Sequence, residues 1–169
     1  MNFPSLPVEA LDPSVSFHFE DVAFELPDED HLANWLMAVA RAEGKPFGEV
    51  NYIFCSDEYL RGINVEYLHH DYYTDIITFP YDDAAIQGDM FISSERVADN
   101  AQTNGVSFQH ELYRVMVHGV LHLAGYGDKT EAEEQVMRAR ENTCLDQLKD
   151  YHLGAGFDVS ISSAGTVTS

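Results

Sequence analysis

Two histidines, His118 and His122, stand four residues apart beside Val115, Leu121 and Leu123, in a helical pattern from Phe108 to Ala124 that Gly125 ends. A four-residue step on a helix turns by about 40° and rises about 6 Å, so both imidazoles reach one cation. The fold must therefore hold a helix with ligands on one face. Glycine tolerates the left-handed backbone that ends helices, and the GYG turn of Gly125, Tyr126 and Gly127 swings Asp128 back toward the same point. Three protein donors with a fourth position open to water are the arrangement of catalytic rather than structural zinc. The same spacing also suits two histidines packed and hydrogen-bonded in a core. The adjoining helix stop and the spaced acid favour the metal set His118, His122 and Asp128, with one Zn2+.

The surrounding pattern predicts the scaffold. Val15, Phe17 and Phe19 alternate with polar residues in a strand ending at Glu20, and Leu32, Trp35, Leu36 and Val39 form one stripe of a helix from Glu29 to Glu43. A second strand spans Glu49 to Cys55, and Ser56 or Asp57 caps a helix that carries Leu60, Ile63, Asn64 and Tyr67 on one face. Two short strands, Asp75 to Phe79 and Asp89 to Ile92, flank a polar loop from Tyr81 to Gly88. A helix from Ser94 to about Thr103 leads into the histidine helix, and Thr130 with Glu133 opens the last one as a capping box. The expected fold is α+β: a small mixed four-stranded sheet packed with about five helices, including a zincin-like metal helix. Residues 1–150 are expected to form a single metallohydrolase domain. Residues 151–169 form a tail in which FDVSIS suits either an edge strand or disorder.

Charge limits the partners. Nine Lys and Arg against 29 Asp and Glu give a net charge of −20, which repels nucleic acid at long range. It is equally the surface of a protein adapted to high salt. No run approaches the roughly 20 apolar residues of a membrane span, and the amino-terminal residues lack a secretory pattern, so a cytoplasmic protein is expected. Cys55 and Cys144, without a CxxC, read as free buried thiols.

The histidine spacing is that of HExxH zinc hydrolases, but Gly119 stands where those enzymes keep their general base, which disfavours peptide hydrolysis by that mechanism. The run HGVLHLAGY is preceded by Asn64 in a helix, by TDIITFP from Thr74 to Pro80, and by GDMFIS from Gly88 to Ser93. In order and spacing, from about Phe54 to Leu148, this pattern resembles the YbeY family of metal-dependent endoribonucleases, the rRNA maturation factors. The resemblance implies a zinc-dependent hydrolase of single-stranded RNA, with rRNA precursors, the ribosomal small subunit or assembly factors as partners, and with ribosome quality control as its setting. The third ligand in that family is usually histidine, and here it is Asp128. An anionic ligand donates more charge to the cation and suits iron or manganese as well as zinc. Leu68 stands where the family usually carries an arginine that looks like a phosphate contact.

Four further residues are candidates for the site. Arg61 and Arg96 are positioned to approach a scissile phosphate, or else pair with acids such as Glu58 or Glu95; Arg114 is a third candidate for RNA contact. Asp75 either orients the metal shell and accepts a proton from water, or caps the turn before its strand. Three classes remain: an endoribonuclease, a ribosome-assembly binding protein with a mainly structural metal, and a metallohydrolase of another substrate. The oligomeric state is not legible.

Overall fold

The structure, a computed structural model, describes residues 12–154. In chain order it comprises β1 (Ser14–Phe19), α1 (Glu29–Ala42), β2 (Phe47–Cys55), α2 (Asp57–Leu68), β3 (Ile76–Pro80), β4 (Ile86–Ser93), α3 (Ser94–Asn104), α4 (Phe108–Ala124) and α5 (Glu131–Gly154). The four strands form one sheet in the order β1-β2-β4-β3. β1 with β2 and β2 with β4 pair in parallel, whereas β3 runs antiparallel to β4. The mixed sheet with five helices is the expected α+β architecture.

Strand alternation assigns the two faces. Val50, Tyr52 and Phe54 of β2, with Met90 and Ile92 of β4, point into the main core, where Leu32, Trp35 and Leu36 of α1 and Leu112, Met116 and Val120 of α4 meet them. The residues between them in β2 and β4 turn the other way. There Cys55 joins Leu60 of α2 and Ile77 of β3 in a smaller cluster, with Ile63, Phe79 and Phe91 against it. Both cysteines are free and buried. Two buried anchors tie α4 and α5 to the rest: the Tyr52 hydroxyl donates to the Met116 carbonyl at 2.8 Å, and the Trp35 indole N–H donates to the Cys144 carbonyl at 2.8 Å.

Polar side chains start the helices as their residue types dictate. Ser56, Ser93 and Ser107 each accept from the backbone N–H three residues on, at the starts of α2, α3 and α4. Thr130 and Glu133 exchange side-chain-to-backbone hydrogen bonds in the expected capping box. Most boundaries fall within two residues of the sequence expectation, β2 starting at Phe47 rather than Glu49, and two differ by more. β4 begins at Ile86 rather than Asp89, because Ala85 and Ile86 are buried and shorten the polar loop. α5 runs to Gly154, past the expected edge at residue 150. FDVSIS lies outside the described residues.

Gly119 sets how closely α4 lies on the sheet. A Cβ there would come within 2.5 Å of the Met90 sulfur and 3.1 Å of Ile76 Cδ1. Met90 is fully buried, so its sulfur has no free space to move into. The helix therefore approaches β3 and β4 closely because this position lacks a side chain. The glutamate of the HExxH pattern has no room here.

Candidate active site

The close approach of α4 to β3 brings the end of one element to the start of another. Gly125, at φ 116°, caps α4 and donates its N–H to the carbonyls of His122 and Leu121. The chain then turns back, as expected, and the Asp128 carboxylate stands 3.4 Å from Nε2 of His118. Across from them, α2 ends at His69, whose left-handed conformation turns the chain into the loop before β3. Buried Asn64 fixes that loop by donating from its amide to the Tyr72 carbonyl at 3.0 Å. The result is a cavity of about 250 Å³ lined by Asn64, Leu68, Tyr72, Thr74, Asp75, His118, His122 and Asp128, with Ile76, Ile77 and Thr78 of β3.

His118 is the most constrained of these groups. Its Nδ1–H donates to Glu141 of α5 at 2.7 Å, which leaves Nε2 facing Asp128. Glu141 in turn accepts from Arg114 at 3.0 Å, and Arg114 forks its remaining donors onto Glu111, one turn earlier on α4. Glu111 and Glu141 are each only 1% exposed. Burial alone would lower the His118 pKa, but the hydrogen bond and charge of Glu141, aided by Asp75 and Asp128, hold it above its ordinary value. Burial would raise Glu141, yet its bonds to His118 and Arg114 hold it below the usual carboxylate range. For Asp75 burial wins: despite Arg114 and His118 nearby, its carboxyl is pushed up. A second cavity, of about 730 Å³, opens on the other side of His118 between α4 and α5, and Asp128, Arg114 and Glu141 also line it.

The expected residues divide into two groups. His118, His122, Asp128 and Asp75 share one cavity; Arg61, Arg96 and Arg114 are absent from its lining. Arg61 pairs with Asp71 at 2.8 Å and Glu58 at 3.3 Å, and Arg96 pairs with Asp57 at 2.7 Å and Asp99 at 3.4 Å. For Arg61 this is the acid pairing weighed in the sequence. For Arg96 the partners differ, because Glu95 instead accepts from the Asp57 backbone N–H at the start of α2. Arg114, weighed as an RNA contact, is held between Glu111 and Glu141 with 11% of its side chain exposed, and it lines the second cavity rather than this one. The carboxylate that orients His118 was absent from the sequence expectation.

The donor set suits a divalent transition metal in kind. Two imidazoles and a carboxylate are zinc ligands, and an Nδ1–H held by a carboxylate is the usual partner of a ligating Nε2. The 3.4 Å separation of His118 Nε2 and Asp128 is also close to the ligand-to-ligand edge of a tetrahedron with bonds of about 2.0–2.1 Å. Even so, among the described residues no three His, Cys, Asp or Glu side chains are gathered closely enough to hold an ion as they stand. The expected triad is thus assembled around one cavity without being closed.

The fold of this chain is shared with a protein of known structure. The solution structure of a Thermotoga maritima protein has the same fold, with a TM-score of 0.58 over 80% of this chain and 89% of that one, at 23% identity. The family model for Endoribonuclease YbeY matches residues 17–149. The chain is 51% identical over 129 residues to the endoribonuclease YbeY of Flavobacterium johnsoniae, covering 76% of this chain and 92% of that protein. With its counterpart from Flavobacterium psychrophilum it is 47% identical over 140 residues, or 82% and 97% of the two chains. The chain belongs to the endoribonuclease YbeY family.

Proposed function

We propose that this protein is a metal-dependent, single-strand-specific endoribonuclease that acts in the cytoplasm in small-subunit rRNA maturation and ribosome quality control. Its substrates are rRNA precursors, met on the small subunit or with assembly factors. The observation that carries this reading is the single cavity shared by His118, His122, Asp128 and Asp75 in a chain of the endoribonuclease YbeY family.

His118, His122 and Asp128 would hold one Zn2+, and the carboxylate makes iron or manganese acceptable there. Once bound, such a cation supplies positive charge to a phosphoryl oxygen and lowers the pKa of water toward neutrality. The protein's own groups do the rest. Glu141 keeps His118 in the tautomer that presents Nε2 to the cavity. Asp75, whose carboxyl burial raises, accepts the proton of an attacking water. Gly119 leaves the position of the zincin base empty, so Asp75 is the acid–base group that this cavity offers. Arg61 and Arg96 would reach a scissile phosphate only by releasing Asp71 and Asp57.

That engagement of the arginines favours a second reading, a ribosome-assembly binding protein whose metal is mainly structural. One experiment separates the two. The zinc-supplied protein is incubated with single-stranded and duplex RNA at low and high salt, beside His118→Ala. Cleavage of the single strand alone, lost in the variant, is expected. Cleavage that survives His118→Ala is contamination, and none under any condition leaves the binding-protein reading standing.

A further inference from the structure

The cavity has an apolar rim with no cation in it. Leu68 and Tyr72 border it, and its lining includes no lysine or arginine. Tyr72 is 54% exposed even though its ring stacks on His70, with centroids 5.2 Å apart and planes 19° from parallel. Its hydroxyl lies 3.0 Å from His70 Nδ1, so the pair holds its geometry through a polar contact and a ring contact together. The Asn64 amide anchors the Tyr72 backbone from beneath. A large aromatic side chain fixed in orientation yet open to water needs an explanation, above all at the mouth of a candidate active site.

Charge narrows what could cover it. The two arginines that flank Tyr73, the next residue, are neutralised: Arg61 by Asp71 and Glu58, Arg96 by Asp57 and Asp99. Both lie over the ring of Tyr73, at 5.8 and 5.3 Å from its centroid. On a chain of net charge −20, the phosphate backbone finds little to hold at this edge. A nucleobase, by contrast, has an uncharged face that any exposed aromatic ring can accept.

We propose that Tyr72 is a base-stacking platform: an unpaired nucleobase next to the scissile phosphate extends the His70–Tyr72 stack, with Leu68 packed against its edge. This rests on the ribonuclease reading and adds how the substrate is held. It makes selection of single strands a property of the rim, because a base within a duplex is already stacked on both sides.

The test uses the full chain supplied with zinc, a short fluorescent single-stranded RNA, and copies of that RNA each carrying one abasic nucleotide. Tyr72→Ala is expected to weaken binding and raise KM by about 5-fold or more with kcat little changed, and Tyr72→Phe to restore both. One abasic position should weaken binding to the original protein by a similar factor and cost Tyr72→Ala almost nothing further. Binding should fall by less than about 3-fold between about 50 and 200 mM salt, the change expected of one phosphate contact on a single strand. An abasic penalty of equal size in the original protein and in Tyr72→Ala overturns the proposal, as does RNA binding unchanged in Tyr72→Ala, which would give the exposed rim to a protein partner. RNA that binds through Tyr72 but is never cut removes the ribonuclease reading alone. RNA that is cut with no dependence on Tyr72 removes the platform alone.

Discussion

Two arginine clusters in this molecule use the same ions under opposite conditions. Arg61, at the edge of α2, reaches Asp71 and Glu58 in open solvent, where the acids are 66% and 68% exposed. Arg114, between α4 and α5, holds Glu111 and Glu141 where each carboxylate is about 1% exposed. Water and salt screen the first pair, and two long side chains must be ordered to form it. The second has lost its water, so each ion depends on the others for solvation. The consequence is functional: the buried cluster ends at Nδ1 of His118, and the exposed one ends at solvent. Sequence motifs direct attention to arginines near a cavity, but burial decides which arginine the site depends on.

The largest effect is therefore expected from Glu141. Glu141→Ala leaves Arg114 with one carboxylate and removes the acceptor from His118, a loss of about 3–5 kcal/mol in urea unfolding. Metal affinity, measured by competition with a chelator, should fall by about 10- to 100-fold because the imidazole is no longer oriented. Glu141→Gln keeps an acceptor without the charge and should fall between. Equal stability of Glu141→Ala and the unmodified protein would mean that the buried cluster is as dispensable as a surface pair.

Packing supports the buried side as well. Gly119→Ala would place a methyl 2.5 Å from the Met90 sulfur, forcing α4 or Met90 to shift. About 1–3 kcal/mol of stability should be lost. Much of that loss should return when Met90→Ala is present in the same chain, because the two groups occupy one space. A thermal melt of the four combinations reads the coupling. Additive losses would show that the close approach of helix and sheet is not what Gly119 serves.

How legible all this was depended on the range of the interaction. Local signals were reliable: the Ser56 cap, the Thr130–Glu133 box and the glycine stop at Gly125 stand where residue type and spacing put them. α4 matches its expected bounds because a single apolar period runs between a serine cap and a glycine. Glu111, Arg114 and His118 also lie on one stripe of that helix, three and four residues apart, a row of charge on an otherwise buried element. Glu141 comes from another helix, 23 residues after His118, and no local period marks it. The start of β4 was misplaced for a related reason: Ala85 and Ile86 are buried by tertiary packing, although the preceding loop is acidic.

The smallest effect should come from Arg61. Its hydrogen bond to Asp71 raises its pKa, but the side chain is 39% exposed and the guanidinium carries its charge at any working pH with or without that acid. Losing the pair removes attraction that the solvent largely replaces. Arg61→Ala should leave the urea midpoint within the scatter of replicate curves, and Asp71→Asn should do the same. Raising salt from about 0.1 to 1 M shortens the screening length from about 10 to 3 Å, so any residual difference should vanish there. The penalty in Glu141→Ala should persist at both salts, because no ions enter between Arg114 and its partners. A salt-resistant loss in Arg61→Ala would instead place Arg61 on the buried side of the comparison, holding the loop that carries Tyr72 and Tyr73 rather than resting on the surface.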